Sequence, residues 1–242
     1  MSQNILLTGV SSGLGLQTAS LLLAEGKQVF GLSRQRSPGL NELLAQYPAQ
    51  FHWKAIDLSQ HEELKSSVFQ QLIPADTALH AFINNAAVAY DDLITNLQVD
   101  RLTQLFAINV VAPMLLSKWV IRNMLLHKQE GSIIHLSSIS VHTGYKGLSM
   151  YAATKGALEA FSKNAAREWG TRGIRSNCVV AGFMETAMSA GLSEEQKARI
   201  YKRTSLKQAT AVESVAKTIS FLLSEGASSI TGQAIFVDNG TI

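Results

Sequence analysis

The 242-residue chain has a single cysteine, Cys178, so it forms no internal disulfide, and the apolar stretch around it favours a small buried side chain over a reactive thiol. Proline is nearly as scarce, with Pro38, Pro48, Pro74 and Pro113 too scattered to mark a linker. Repeats and low-complexity segments are missing too, which leaves one domain as the simplest organisation. The formal net charge of +3 and pI near 9.0 come without a basic run or Lys/Arg stripe, so neither a nucleic acid nor another polyanion is indicated as partner. The first apolar run, Ile5 to Leu7, stops at Thr8-Gly9 without a basic flank. Neither a secretion signal nor a membrane span is expected, and the cytoplasm is the expected compartment. Six histidines show no metal-ligand spacing with the cysteine or acids, so no metal is expected.

What is present is alternation. Short apolar runs at Asn4 to Thr8, Gln28 to Ser33, Phe51 to Ala55, Ala81 to Asn84, Ser132 to Leu136, Arg175 to Val180 and Gln233 to Val237 read as strands. Amphipathic stretches between them read as helices, with capping boxes expected at Ser59/Glu62, Ser193/Gln196 and Thr210/Glu213. Strand–helix alternation demands crossovers, hence an α/β fold with one doubly wound (Rossmann) seven-stranded parallel sheet, helices on both faces, spanning 1–242.

Two motifs carry chemistry. Thr8-Gly9-Val10-Ser11-Ser12-Gly13-Leu14-Gly15 lies where the first strand turns into the first helix. Glycines there allow a tight turn and close backbone approach to a pyrophosphate, which the helix N-terminus favours electrostatically. Tyr151-Ala-Ala-Thr-Lys155 places a phenol and an ammonium one helical turn apart. A free phenol titrates near ~10, and an adjacent cation is expected to favour its ionised form. Taken alone, such a pair has an ordinary reading as a surface tyrosine and a solvated lysine.

Together these residues resemble the short-chain dehydrogenase/reductase family, from Ile5 to the C-terminus. The family's glycine turn matches Thr8 to Gly15. Its acid after the third strand matches Asp57, and its Asn-Asn-Ala matches Asn84, Asn85 and Ala86. Its helix asparagine matches Asn109, and its serine thirteen residues before the tyrosine matches Ser138. The resemblance implies a catalytic set of Asn109, Ser138, Tyr151 and Lys155. It implies cofactor binding by Gly9, Ser11, Ser12, Gly13, Leu14, Gly15, Arg34, Asp57, Leu58, Asn85, Ala86, Tyr151, Lys155, Gly182 and Thr186, with Asn84 flanking the cofactor. In the implied reaction a hydride passes between nicotinamide and a carbonyl carbon, Ser138 and Tyr151 stabilise the oxygen, and Tyr151 supplies the proton. Lys155 would lower the Tyr151 pKa and hold the ribose, while Asn109 would anchor a water leading to solvent.

Cofactor choice is read in Gly31-Leu-Ser-Arg-Gln-Arg36, where no acid stands to bind the ribose hydroxyls of NAD. Arg34 suits a 2′-phosphate and points to NADP(H), although Ser12 occupies a position where many NADP-using relatives carry a second basic residue. Ala87, Ala181 and Asn239 depart from the family pattern without removing a reacting group.

Segment 182–205 is expected to form a substrate lid. Among family branches the resemblance is greatest to 3-oxoacyl-(acyl carrier protein) reductases, through Gly170-Thr-Arg-Gly-Ile174, Ala181-Gly-Phe-Met-Glu-Thr186 and Ile230-Thr-Gly-Gln233. It implies a carrier-bound carbonyl substrate, with an acyl carrier protein met by Arg172 and Lys128. His142 and Tyr145 are candidate pocket residues. Sugar, polyol or small-ketone substrates, and a non-catalytic NADP-binding regulator, are the alternatives. A homotetramer or homodimer, formed through the long fourth and fifth helices, is the implied assembly.

Overall fold

In the first strand Ile5 and Leu7 turn to one side of the sheet and Leu6 to the other, and all three are fully buried. That period-two alternation, with both faces covered, is what a central parallel strand requires. The computed structural model describes residues 3–241 apart from 187, 188 and 190.

The strands are β1 (Asn4–Thr8), β2 (Gln28–Ser33), β3 (Phe51–Ala55), β4 (Ala81–Asn84), β5 (Gly131–Ser138), β6 (Ile174–Ala181) and β7 (Ala234–Val237). All pair in parallel in the order β3-β2-β1-β4-β5-β6-β7. The doubly wound seven-stranded single domain is therefore present. β5 and β6 extend beyond their sequence-predicted ends, because backbone pairing continues through Ser137 and Ser138 opposite Val180 and Ala181.

The helices are α1 (Gly13–Ala24), α2 (Pro38–Gln46), α3 (Leu64–Ser66), α4 (Val99–Phe106), α5 (Ala112–Leu126), α6 (Ser149–Trp169), α7 (Glu194–Arg203) and α8 (Val212–Leu223). Leu22 of α1, Leu40 of α2 and Ile219 of α8 share one core with Ile5 and Leu7. Leu64 of α3 and Leu116, Val120 and Met124 of α5 share the other with Leu6 and Phe82. Each fully buried side chain of this size contributes roughly 1.5–3 kcal/mol. A π-helical turn, Ala107–Val111, joins α4 to α5. The resulting helix Val99–Leu126 is long and apolar enough to cross a membrane, but its buried face is part of the sheet's core.

One expected capping box forms and two do not. Ser193 and Gln196 cap α7 reciprocally. Ser59 instead gives its backbone N–H and hydroxyl to Asp57 Oδ1 at 2.9 and 2.8 Å. Thr210 is buried one residue before the cap of α8, which is Ala211 with no side-chain bond.

Candidate active site

The strand order reverses between β1 and β4, and a crevice opens at their C-terminal ends, where doubly wound sheets bind ligands. A cavity of about 510 Å³ lies there. Its walls include Gly9, Ser11, Ser12, Gly13, Leu14, Gly15, Arg34, Asp57, Leu58, Asn85, Ala86, Tyr151, Lys155 and Thr186, so residues distant in sequence meet in one cleft.

The floor is laced together. Thr8 Oγ1 accepts from the backbone N–H groups of Asn85 and Ala86 at 3.1 and 3.0 Å. Asn85 Nδ2 donates to the carbonyls of Thr8 and Gly9 at 3.0 and 3.3 Å. A methyl group has no room here. A Cβ on Gly9, at φ +79°, would stand 2.6 Å from Asn85 Nδ2, and one on Gly15 would overlap the Gly9 carbonyl oxygen. Ser12 caps α1 without a side-chain hydrogen bond, leaving first-turn N–H groups for an anion. Absent side chains and available amides fit a pyrophosphate. Asp57 fits the adenosine end: its hydrogen bonds from Ser59, then the Arg34 charge, hold its carboxyl below the usual range.

At the other end stands the reacting pair. Lys155 is buried on α6, and its Nζ donates to the Leu136 carbonyl at 2.7 Å. Burial brings its pKa down to about 8. The Nζ lies 5.6 Å from the Tyr151 ring centroid. Burial, followed by the Asp91 charge, pushes the Tyr151 phenol up to about 12. Ser138 Oγ accepts from Ser140 N and Ser140 Oγ at 3.2 and 3.0 Å, which leaves its own hydroxyl proton available.

Ser138 and the other expected residues stand back from the wall of this cavity. Asn109 is buried in the π-helical turn, its Oδ1 accepting from Val88 N at 2.9 Å. Its Nδ2 donates to Val88 O at 2.9 Å and Thr154 Oγ1 at 3.2 Å. Both amide hydrogens are committed, so the side chain fastens the β4 exit to α6. Asn84 points into the interior, and its amide makes no hydrogen bond among the described residues. Gly182 bonds Val237 O through its N–H at 2.9 Å and packs against Asp238 instead of lining the cleft. His142 pairs with Glu159 at 3.0 Å, and Tyr145 lies beneath Arg203. Lys128 and Arg172 sit beside the start of β5, the edge opposite Ser138, about 20 Å away at ~3.3 Å per strand residue. Within one chain they do not flank the cleft. Sequence reasoning missed Ser137, which lines the cavity, and the Leu136 carbonyl, a main-chain group with no residue signature. Among the described residues no cluster of potential metal ligands occurs.

The family model described as Enoyl-(Acyl carrier protein) reductase matches residues 9–241. Over 242 residues the chain is 31% identical to a 3-oxoacyl-(acyl-carrier-protein) reductase of Chlamydia pneumoniae, covering 99% of this chain and 97% of that one. The chain belongs to the short-chain dehydrogenase/reductase family. A solved short chain dehydrogenase/reductase family protein, 28% identical, aligns with a TM-score of 0.87 over 98% of this chain and 96% of its own. A 4-hydroxyisoleucine dehydrogenase complexed with NADH, 25% identical, aligns with a TM-score of 0.93 over 99% and 98%. As a short-chain dehydrogenase/reductase this chain is an enzyme, an oxidoreductase that works with a nicotinamide dinucleotide.

Proposed function

We propose that this enzyme is an NADP(H)-dependent reductase of a carbonyl group, with a 3-oxoacyl thioester as substrate. The observation that carries the reading is geometric: Tyr151 and Lys155, one turn apart on α6, line the same cleft as the glycine turn. A protonated phenol is a donor, which is the role reduction requires.

When bound, the nicotinamide supplies the hydride. Ser138 and Tyr151 then serve the substrate oxygen, Ser138 with its uncommitted hydroxyl proton and Tyr151 by giving up its own as negative charge builds. Lys155, with a pKa of about 8, is a proton store one helical turn away that exchanges near neutral pH. Asn109 keeps α6 and the β4 exit in register, so the pair holds its place relative to the floor.

NADP(H) is supported by Arg34, which borders the cavity at the end of an acid-free β2. A 3-oxoacyl thioester is supported by the relative's name and by the three matching segments. The segment 182–205 acts as lid: α7 has no buried residue and is held by Tyr201 Oη donating to Glu185, with Phe183 against the Tyr201 ring. Part of that segment, 187, 188 and 190, lies outside the described residues. A homotetramer or homodimer is supported by exposed Val111 and Leu126 on the long helix pair, and light scattering measures it.

The test is a panel of 3-oxoacyl carrier-protein and pantetheine thioesters, sugars, polyols and small ketones, each with NADPH and NADH. The thioesters with NADPH are expected to give the highest kcat/KM. Higher turnover of a sugar or small ketone replaces the substrate, and a preference for NADH removes the Arg34 argument.

A further inference from the structure

Beside the main cleft lies a second cavity of about 260 Å³, and Arg34, Val88 and Ile108 border both. Its remaining walls include Tyr90, Arg101 and Gln104, so two arginines border one open space. Among the described residues neither Arg34 nor Arg101 has a carboxylate partner within ion-pairing distance. Two cations bordering one cavity make it a favourable place for an anion.

Arg101 is held in place for this. Its guanidinium lies 4.1 Å from the centroid of the Tyr90 ring. That ring is 2% exposed, and its hydroxyl accepts from the backbone N–H of Gln98 at 2.9 Å, so the platform under the cation does not move. Arg101, Gln104 and Ile108 recur at helical spacing, so the face that brings Ile108 to the main cleft also brings Arg101 towards it. Arg36 is nearer to Arg34 in sequence but borders neither cavity, and stacks 4.7 Å from the Trp53 ring centroid.

We infer that Arg101 is the second cation of the adenosine 2′-phosphate site, contributed by α4 in a chain whose glycine turn carries Ser12 and no basic residue. The inference rests on the NADP(H) reading. A phosphate monoester carries roughly −1.5 to −2 charge at pH 7 and three acceptor oxygens. One arginine leaves it half neutralised, whereas forks approaching from the β2 exit and from α4 satisfy it from two directions. Asp57 and Leu58 border the main cleft together with Arg34, which is the end assigned to the adenosine.

Calorimetric titration of 2′,5′-ADP and 5′-AMP onto the full chain tests this without turnover. Arg101 is exposed on its helix, so Arg101→Ala and Arg101→Lys are expected to fold. Arg101→Ala is expected to weaken 2′,5′-ADP about tenfold more than 5′-AMP, with Arg101→Lys in between. The NADPH/NADH ratio of kcat/KM is expected to fall by a similar factor. Equal weakening of the two nucleotides, or none, overturns the assignment. If the wild type favours 2′,5′-ADP and Arg101→Ala keeps that preference, Arg101 alone is misassigned. If the wild type binds both nucleotides equally, the NADP(H) reading fails and takes this inference with it.

Discussion

Around the glycine turn four hydrogen bonds tie Thr8 and Gly9 to Asn85 and Ala86, while the proposed substrate side is held in part by side chains nearer the surface. His142 with Glu159, Arg203 with Tyr145 and Tyr201 with Glu185 are such contacts, beside main-chain bonds including Thr210 N to Phe183 O at 2.8 Å and Ser205 N to Gly240 O at 3.0 Å, and α7 has no buried residue. The glycine turn is closely packed, which suits recognition of a pyrophosphate by backbone atoms at fixed positions. The proposed substrate end relies more on contacts near the surface, which cost less to open.

The largest expected effect lies between the two regions. Tyr151→Phe is expected to lower kcat by roughly 10²- to 10⁴-fold, since it removes the proton donor. Dinucleotide affinity, measured by fluorescence titration, is expected to persist. A loss of only a few-fold in kcat would mean that another group donates.

A pair of glycine substitutions tests the rigidity contrast directly. Gly15→Ala forces a Cβ into the Gly9 carbonyl oxygen and is expected to cost about 1–3 kcal/mol in denaturant unfolding and to abolish dinucleotide binding. Gly144→Ala, in the substrate loop with nothing within 4 Å of the added carbon, is expected to leave stability within about 0.5 kcal/mol. Equal losses would erase the distinction.

His135 lies beneath the site, fully buried, with neither ring nitrogen hydrogen-bonded among the described residues. Burial, and then the Lys155 charge, hold its pKa down at about 3, against an ordinary 6.5. The unfolded chain takes up this proton first, so the stability from the neutral ring is complete above pH 6.5 and drains as pH falls towards 3. Denaturant unfolding at pH 7 and pH 4 should show His135→Leu losing less stability on acidification than the wild type. Matching losses would assign the acid sensitivity elsewhere.

Ser193→Ala is the smallest change. Loss of the α7 capping box is expected to cost about 1 kcal/mol locally. If α7 serves the substrate alone, KM for the carbonyl compound rises a few-fold while KM for the dinucleotide holds. A rise in the dinucleotide KM would join α7 to the cofactor side.

The strands were readable because alternation is local: β1, β2, β3 and β4 lie at their sequence-predicted bounds. Caps were readable only where the hydroxyl stood at the helix start with no competing partner. Ser193 did, Ser59 was taken by the Asp57 carboxylate, and Thr210 is buried one residue before the cap of α8 with its hydroxyl unbonded among the described residues. Asn239 shows how a departure from the family pattern is absorbed. It adopts φ +59°, which asparagine tolerates, and its Nδ2 donates to the carbonyls of Gln208 and Ala209 at 3.1 and 2.9 Å.

The sequence by itself determined the sheet, the glycine turn and the candidate set from Ser138 to Lys155, because these depend on short-range spacing and on positions where a side chain has no room. Only the tertiary structure decided the upward push on the Tyr151 pKa, the commitment of Asn109 to Val88, the Leu136 carbonyl as partner of Lys155 and the cavity that Arg101 shares with Arg34. Each of those is set by burial or by the approach of groups far apart along the chain, and neither is written in local spacing.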